Sequence, residues 1–184
     1  MSSELKDAIL DAAKLMAISA RTAPKTKGLD DIEIAVLSSE DDLKRLAEEM
    51  ERIGSETGRS FFLRDAENIR MTPVVLLIGV KASKPKNLDC GGCGHRTCAE
   101  FMKAERSMGK DLSGPSCIFQ LLDLGIALGS AVKTASILNI DNRIMFSAGA
   151  AAKNLGYLES DIVLAIPLSA TGKNIYFDRR WRRK

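Results

Sequence analysis

Aromatic side chains are scarce: Phe, Tyr and Trp make up 5% of the 184 residues, with a single Trp. Histidine is scarcer still. His95 is the only one, so a Ser-His-Asp triad would have to be built around it, and no G-x-S-x-G elbow is present to supply the serine. No G-x-G-x-x-G follows a strand pattern, which removes the dinucleotide fingerprint. Thr171-Gly172-Lys173 is not a phosphate loop, because Pro167 stands where the upstream glycine is required and Asn174 follows the lysine. Long apolar runs are also missing. The longest, Val74 to Val80, falls far short of the ~20 residues that a membrane helix needs. The stretch Cys117 to Ile140 is apolar overall but carries Asp123 and Lys133, which argues against a span. The start, MSSELKDAILDAAKL, has early acids, no basic region and no continuous apolar stretch, so it does not read as a secretory signal. These absences predict a cytoplasmic protein with no membrane partner. There is no internal repeat and no low-complexity segment.

Charge of one sign is lacking as well. The formal net charge is +3, and the excess sits in the last six residues, where Arg179, Arg180, Arg182, Arg183 and Lys184 fall together. Without those five, 22 bases face 24 acids, so the pI of 8.7 is a property of the tail and predicts no nucleic-acid-binding body. The RRWRRK end reads as a solvated tail.

What is present is ordinary globular material. Apolar residues make up 45% and charged residues 28%. A chain of this size buries roughly 70% of its unfolded surface, enough for one core without a staple. A single α+β domain over 1–184 is expected, with a small central sheet flanked by helices. Leu5, Ala8, Ile9, Ala12 and Met16 repeat at helical spacing over 3–18, with Ser2 or Ser3 as cap. The segment 21–31 reads as a basic loop and Ile32 to Leu37 as a strand. Ser39-x-x-Asp42 opens a second helix that ends at Gly58, and Phe61 to Arg70 suits a short one. Pro73 to Val80 reads as a strand covered on both faces. Helices are expected over 117–138 and 142–155, and a strand over 161–168. Asn174 to Phe177 forms an arm that could embrace a partner subunit, which hints at a homodimer. Gly125-x-x-x-Gly129 with Ala127, Ala131 and Ala135 makes the long helix slim, as a buried core helix or a dimer interface requires.

The cysteines carry the chemistry. Cys90, Cys93, Cys98 and Cys117 are spaced C-x2-C-x4-C-x18-C, all within 28 of the 184 residues. Cytosolic thiols stay reduced, so a crowded CxxC points to metal or redox chemistry rather than to structural disulfides. The segment 81–117 is therefore expected to be an embedded cluster-binding insert. Gly91, Gly92 and Gly94 let the backbone wrap closely. Thr97 with Glu100 fits a capping box, and Ser116 is a candidate cap before the long helix, so two helix N-termini would face an anionic centre. Lys84, Lys86, Arg96 and Lys103 add screening charge. His95 sits inside the loop and is expected to tune the surroundings rather than to ligate. Zinc is the bland alternative, but all-cysteine zinc sites use two CxxC pairs and here there is one. Three thiols from one loop and a fourth from afar are closer to iron–sulfur ligation.

CGGCGHRTCAEF followed by GPSC resembles the four-iron module CGxCGxxTCxxFA with a later fourth cysteine, found in electron-transport subunits and corrinoid iron–sulfur proteins. The resemblance implies Cys90, Cys93, Cys98 and Cys117 as ligands of one [4Fe–4S] cluster. The sequence departs from the module in its x18 gap and in Ile118, where a proline usually follows the fourth cysteine. Over most of its length the chain is similar to a prokaryotic family of ferredoxin-domain proteins. That similarity runs through ARTAPKTKGLDDI, RDAENIR, GPSCIFQLLDLGIALGSAV and PLSATGKNIYFDR, and it supplies no reaction. A weaker resemblance to FMN nitroreductases lies in Ala20 to Lys25, in Ala127-Leu128-Gly129-Ser130, and in IPLS at 166–169. It implies a nitroreductase-like scaffold, with Arg21, Thr22 and Lys25 contacting an FMN phosphate. The function expected is that of an iron–sulfur redox protein, passing electrons to a partner protein or acting as a flavin-dependent oxidoreductase. The alternatives are a zinc-stapled binding module and a cluster-based oxygen or iron sensor.

Overall fold

The computed structural model describes residues 2–177; the basic end of the chain lies outside them. Four strands form one antiparallel sheet in the order β1 (Ile32–Leu37), β2 (Val74–Val80), β6 (Ile162–Ser169), β5 (Asp141–Asn142). β2 pairs along its whole length with β6, Val74 opposite Leu168, and over Val75 to Val80 with β1, Ile32 opposite Val80. All seven of its residues are buried, so the strand covered on both faces is found as expected.

Strand alternation divides the core in two. Val74, Leu76, Ile78 and Val80 join Ile166 and Leu168 against α1 (Ser3–Thr22) and α5 (Ile118–Ile137). Val75, Leu77, Val163 and Ala165 face the other way, against α2 (Glu40–Thr57), α3 (Ser60–Arg70) and α6 (Phe146–Asn154). Helices cover both faces of a small sheet, as the α+β reading expects. α6 lies so close to β6 that a Cβ on Gly149 would stand 2.0 Å from the carbonyl oxygen of Val163. α2 opens on the expected box, with the Asp42 N–H donating to Ser39 Oγ at 3.1 Å, and closes on Gly58 at φ +67°.

Two expectations need correction. α1 continues to Thr22, so Arg21 and Thr22 belong to its last turn rather than to a loop. The predicted helix over 142–155 is preceded by β5 and starts only at Phe146. The two-residue strands β3 (Ser107–Met108), β4 (Ser113–Gly114) and β5 escape a pattern that needs several alternating residues to register. The arm at 174–177 packs on its own chain: Tyr176 is buried in the second cluster with its hydroxyl 3.1 Å from Thr72 Oγ1.

α5 is long and apolar enough to cross a bilayer by composition. Here its inner face, Ala127, Ala131 and Ala135, is core. Gly125 and Gly129 lie on the outer side with open space around them, beside exposed Leu121, Leu122 and Ile126.

Candidate metal centre

The four cysteines arrive from two places. Cys90 and Cys93 lie in the loop that follows the connector 81–89, Cys98 opens α4 (Cys98–Lys103), and Cys117 stands at the N-cap of α5. All four line one small pocket, with about 260 Å³ of atom-free space including its open side. Pro85, His95, Phe101 and Ile118 complete its walls. Cys90 is exposed, Cys93 and Cys98 are half-buried, and Cys117 is buried, so the pocket runs from solvent to core.

Local chemistry shapes the loop. Gly91 and Gly94 adopt φ of +72° and +86°, and the Gly94 N–H closes the turn onto the Gly91 carbonyl at 3.0 Å. A Cβ on Gly92 would meet Ile118 Cγ2 at 2.8 Å, so this glycine lets the loop lie against the start of α5. The Thr97 cap is present, accepting the Glu100 N–H at 3.1 Å, while the Glu100 carboxylate reaches back to the Arg96 N–H at 3.0 Å. The Cys98 N–H donates to Asp89 Oδ1 at 2.7 Å. At six residues α4 carries little dipole, and the field at the pocket belongs to the 20-residue α5. Ser116 is not its cap. Cys117 occupies that position with no side-chain capping bond, which leaves the first N–H groups of α5 available beside its thiol. His95 stands edge-on to Phe101, with ring centroids 6.0 Å apart.

The expected screening lysines divide. Lys84 and Lys86 both pair with Asp31, at 2.5 and 2.9 Å. Lys86 is buried, so its charge is answered by carboxylates rather than offered to a ligand. Burial works against its ammonium, yet the bonds to Asp31 and Asp123 raise its pKa above the ordinary lysine value. Arg96 is solvent-exposed and pairs with Glu100.

The residues expected around an FMN phosphate stand apart from this pocket. Arg21 donates to Asp30 Oδ2 and to the Ile32 carbonyl, both at 2.7 Å, and Thr22 donates to the Ile18 carbonyl at 3.0 Å. With Ala17, Ile34 and Val36 these two border a shallow hollow beside β1. Lys25 turns inward and caps α1, its ammonium on the carbonyls of Ala20 and Arg21. Burial lowers its pKa, only partly offset by Asp30. The loop's charge is thus largely spent within the chain.

The donor set fits a thiolate-bound centre in its chemistry: four sulfurs, two glycines in left-handed turns, and a third pressed on Ile118. Among the described residues no three His, Cys, Asp or Glu side chains are grouped to hold a single metal ion. A single zinc at about 2.3 Å from each sulfur would hold its ligands about 3.8 Å apart.

The layers described above define the fold. A nitroreductase with bound FMN from Desulfitobacterium hafniense DCB-2 superimposes with a TM-score of 0.58 at 16% identity, over 94% of this chain and 80% of its own. A nitroreductase family protein from Clostridium novyi NT gives 0.56 at 13%, over 89% and 74%. The fold is nitroreductase-like. An uncharacterized protein from Archaeoglobus fulgidus is 49% identical over 168 residues, 91% of this chain and 90% of that one. The family described as an uncharacterized protein containing a ferredoxin domain (DUF2148) matches residues 113–179, a stretch that includes Cys117 but not the Cys90–Cys98 loop. The chain belongs to this family.

Proposed function

We propose that the chain binds one [4Fe–4S] cluster through Cys90, Cys93, Cys98 and Cys117 and carries single electrons. The observation that supports this reading is the meeting of all four cysteines, drawn from two separate stretches, around one pocket. When bound, the cluster would supply a one-electron couple whose potential follows burial, charge and hydrogen bonds to sulfur. The chain does the rest. The four thiols give up their protons on binding, and the N-terminus of α5 favours the resulting negative charge at Cys117. Buried Phe101 excludes water from the inner side, while exposed Cys90 leaves an edge at which a partner protein can come close. The open edge fits a reducing compartment, which the cytoplasm provides.

A flavin-linked form of this reading draws on the FMN-bound nitroreductase that shares the fold. Arg21 and Thr22 at the hollow beside β1 are then the phosphate contacts, without Lys25, which is committed to α1.

The test is the visible spectrum of protein purified without oxygen, before and after dithionite, with iron and sulfide counted. Broad absorbance that partly bleaches is expected, and structured yellow bands on top would add the flavin. Each of Cys90→Ser, Cys93→Ser, Cys98→Ser and Cys117→Ser is expected to lose most of the iron and sulfide. A colourless protein holding one zinc, or four single variants that all keep a full load, would overturn the proposal.

A further inference from the structure

Lys86 is 2% exposed, and a buried ammonium of this kind is retained only where partners surround it. Its Nζ lies 2.7 Å from the Leu29 carbonyl, 2.9 Å from Asp31 Oδ2 and 3.1 Å from Asp123 Oδ2. Asp123 is itself held by Thr26, whose N–H and hydroxyl donate to Oδ1 at 2.9 and 2.7 Å. The wall that Lys86 belongs to is the connector leading into the cysteine loop. Pro85 faces the pocket while Lys84 and Lys86 on either side turn to Asp31.

That connector meets α5 at three rungs. The Cys117 N–H donates to the Ala82 carbonyl at 2.8 Å. Gln120 Nε2 donates to the Lys84 carbonyl at 3.0 Å and to Asp31 Oδ2 at 3.0 Å. Lys86 pairs with Asp123. The connector turns at 82–84, where the Lys84 N–H donates to the Lys81 carbonyl at 3.0 Å, and residues 82, 84 and 86 meet 117, 120 and 123 in order, the latter three spaced along one helix face. Gln120 and Asp123 are otherwise out of place on a buried helix face, and the Gln120 oxygen is left there without a partner. Their use is to hold the connector in one register against α5.

We infer that Lys86 is a positioning residue for the sulfur centre: with Gln120 and Asp123 it sets where Cys117 stands relative to the Cys90–Cys98 loop. The inference rests on the reading that the four cysteines hold a common centre. Three of the thiols are tied together by a short loop, and 18 residues separate the last of them from the fourth, so its distance from the others is fixed by tertiary contacts. Among those, the rungs join the connector that leads into the loop to α5, while Arg106, on the carbonyls of Ser113 and Pro115, ties the chain after α4 to the approach to Cys117.

The test uses the full chain in four forms: wild type, Lys86→Met, Lys86→Met with Asp123→Leu, and Gln120→Met. Lys86→Met leaves the Asp123 carboxylate buried without its counter-ion and lowers the Tm. The double variant removes that uncompensated charge and is expected to regain at least half of the lost Tm. Gln120→Met cuts only the middle rung, leaves no charge unpaired, and decides the matter should Lys86→Met fail to fold. In metal-free protein, alkylation of Cys117 by iodoacetamide, read by peptide mass spectrometry, should rise at least fivefold in both Lys86 variants and at least threefold in Gln120→Met, with Cys90 unchanged. Under limiting iron and sulfide the Lys86 variants should load at least fivefold less than wild type. In the double variant, loading should stay low although the Tm has recovered, which a merely structural role does not predict.

Unchanged alkylation of Cys117 in the folded variants would overturn the inference. Loading that recovers in step with Tm would do the same. A wild type that takes up no iron or sulfide would instead sink the cluster reading, while the alkylation of metal-free protein would still decide whether these rungs position Cys117.

Discussion

The strand β2 and the segment 81–117 adjoin in the chain and are held in opposite ways. Every residue of β2 is buried, all but Val74 are paired on both edges, and both faces are covered. Between residues 81 and 117 only Ala82, Lys86, Phe101 and Cys117 are buried. The rest of that segment is fastened by directional polar contacts. The Ser83 N–H donates to Asp161 Oδ2 at 2.7 Å, Arg59 grips Asp111 at 2.6 and 3.0 Å, and Arg106 reaches the Ser113 carbonyl at 3.0 Å. A sheet of the first kind is stabilised in proportion to the area it hides. A segment of the second kind rests on contacts each worth about 1 kcal/mol, so it opens locally long before the whole chain unfolds. The centre we propose would tie together a stretch that the chain's own core does not hold.

The largest effect comes from breaking the sheet side. Gly149→Ala would force a Cβ to within 2.0 Å of the Val163 carbonyl oxygen and 2.7 Å of Leu164 Cα, both backbone atoms of a paired strand. Neither can yield without lifting α6 from β6. Overpacking of this kind costs about 3 kcal/mol or more. For a chain of this size that corresponds to a Tm loss on the order of 10 °C, measurable by thermal melting. A loss under about 3 °C would show that the helix–sheet contact is softer than its geometry implies.

Breaking the segment side should be felt only there. Arg59 stacks 4.4 Å from the Phe62 ring centre and holds Asp111, both side chains less than a fifth exposed. This pair fixes the β3–β4 hairpin to the corner between α2 and α3. Arg59→Met keeps the apolar contact and orphans the carboxylate, at about 1–3 kcal/mol. Limited proteolysis should show roughly tenfold faster cleavage between residues 104 and 113, with the Tm lower by only a few degrees. A fall in Tm as large as that of Gly149→Ala would erase the distinction between the two regions.

The same contrast separates what the sequence discloses from what it hides. The strand Val74–Val80, the box at Ser39, the cap at Thr97 and the C-terminal Gly58 each depend on neighbours in sequence, and each reads correctly from it. The grouping of the four cysteines followed from their spacing. The contacts that fasten the segment to the rest of the chain join residues 36 to 78 positions apart, as Lys84 to Gln120 and Ser83 to Asp161, and no periodicity announces them. Two traces were nevertheless visible. Gln120 and Asp123 fall at three-residue steps from Cys117 in the otherwise apolar first half of α5, a pattern that marks a polar face with something to hold. Lys86 stood out only as one base among several near the cysteines, and burial gives it a different role. Arg21 and Lys25 resembled phosphate ligands in the sequence because their internal acceptors, Asp30 and the last carbonyls of α1, become partners only when the helix runs on to Thr22.

The smallest effect is a pH dependence that sharpens how the connector is held. Burial pushes the Asp31 carboxyl upward, but hydrogen bonds from Lys84, Lys86 and Gln120 outweigh it and hold its pKa well below the usual carboxylate range. The folded chain therefore takes up this proton less readily than the unfolded chain, whose aspartates titrate near about 3.9. Asp31 contributes its stability in full above about pH 4 and loses it progressively as the pH falls toward the folded value. Metal-free protein should thus lose Tm below about pH 4. Asp31→Asn should start on the order of 1–2 kcal/mol less stable at neutral pH and decline less steeply in acid. Some decline persists in that variant, because Asp30, Asp42, Glu49 and Glu51 are also held low by hydrogen bonds to their partners, Asp30 against an opposing effect of burial. Thermal melts of both proteins between pH 7 and about pH 3 decide it: converging curves assign the acid sensitivity to Asp31, whereas parallel curves would place the connector's hold elsewhere.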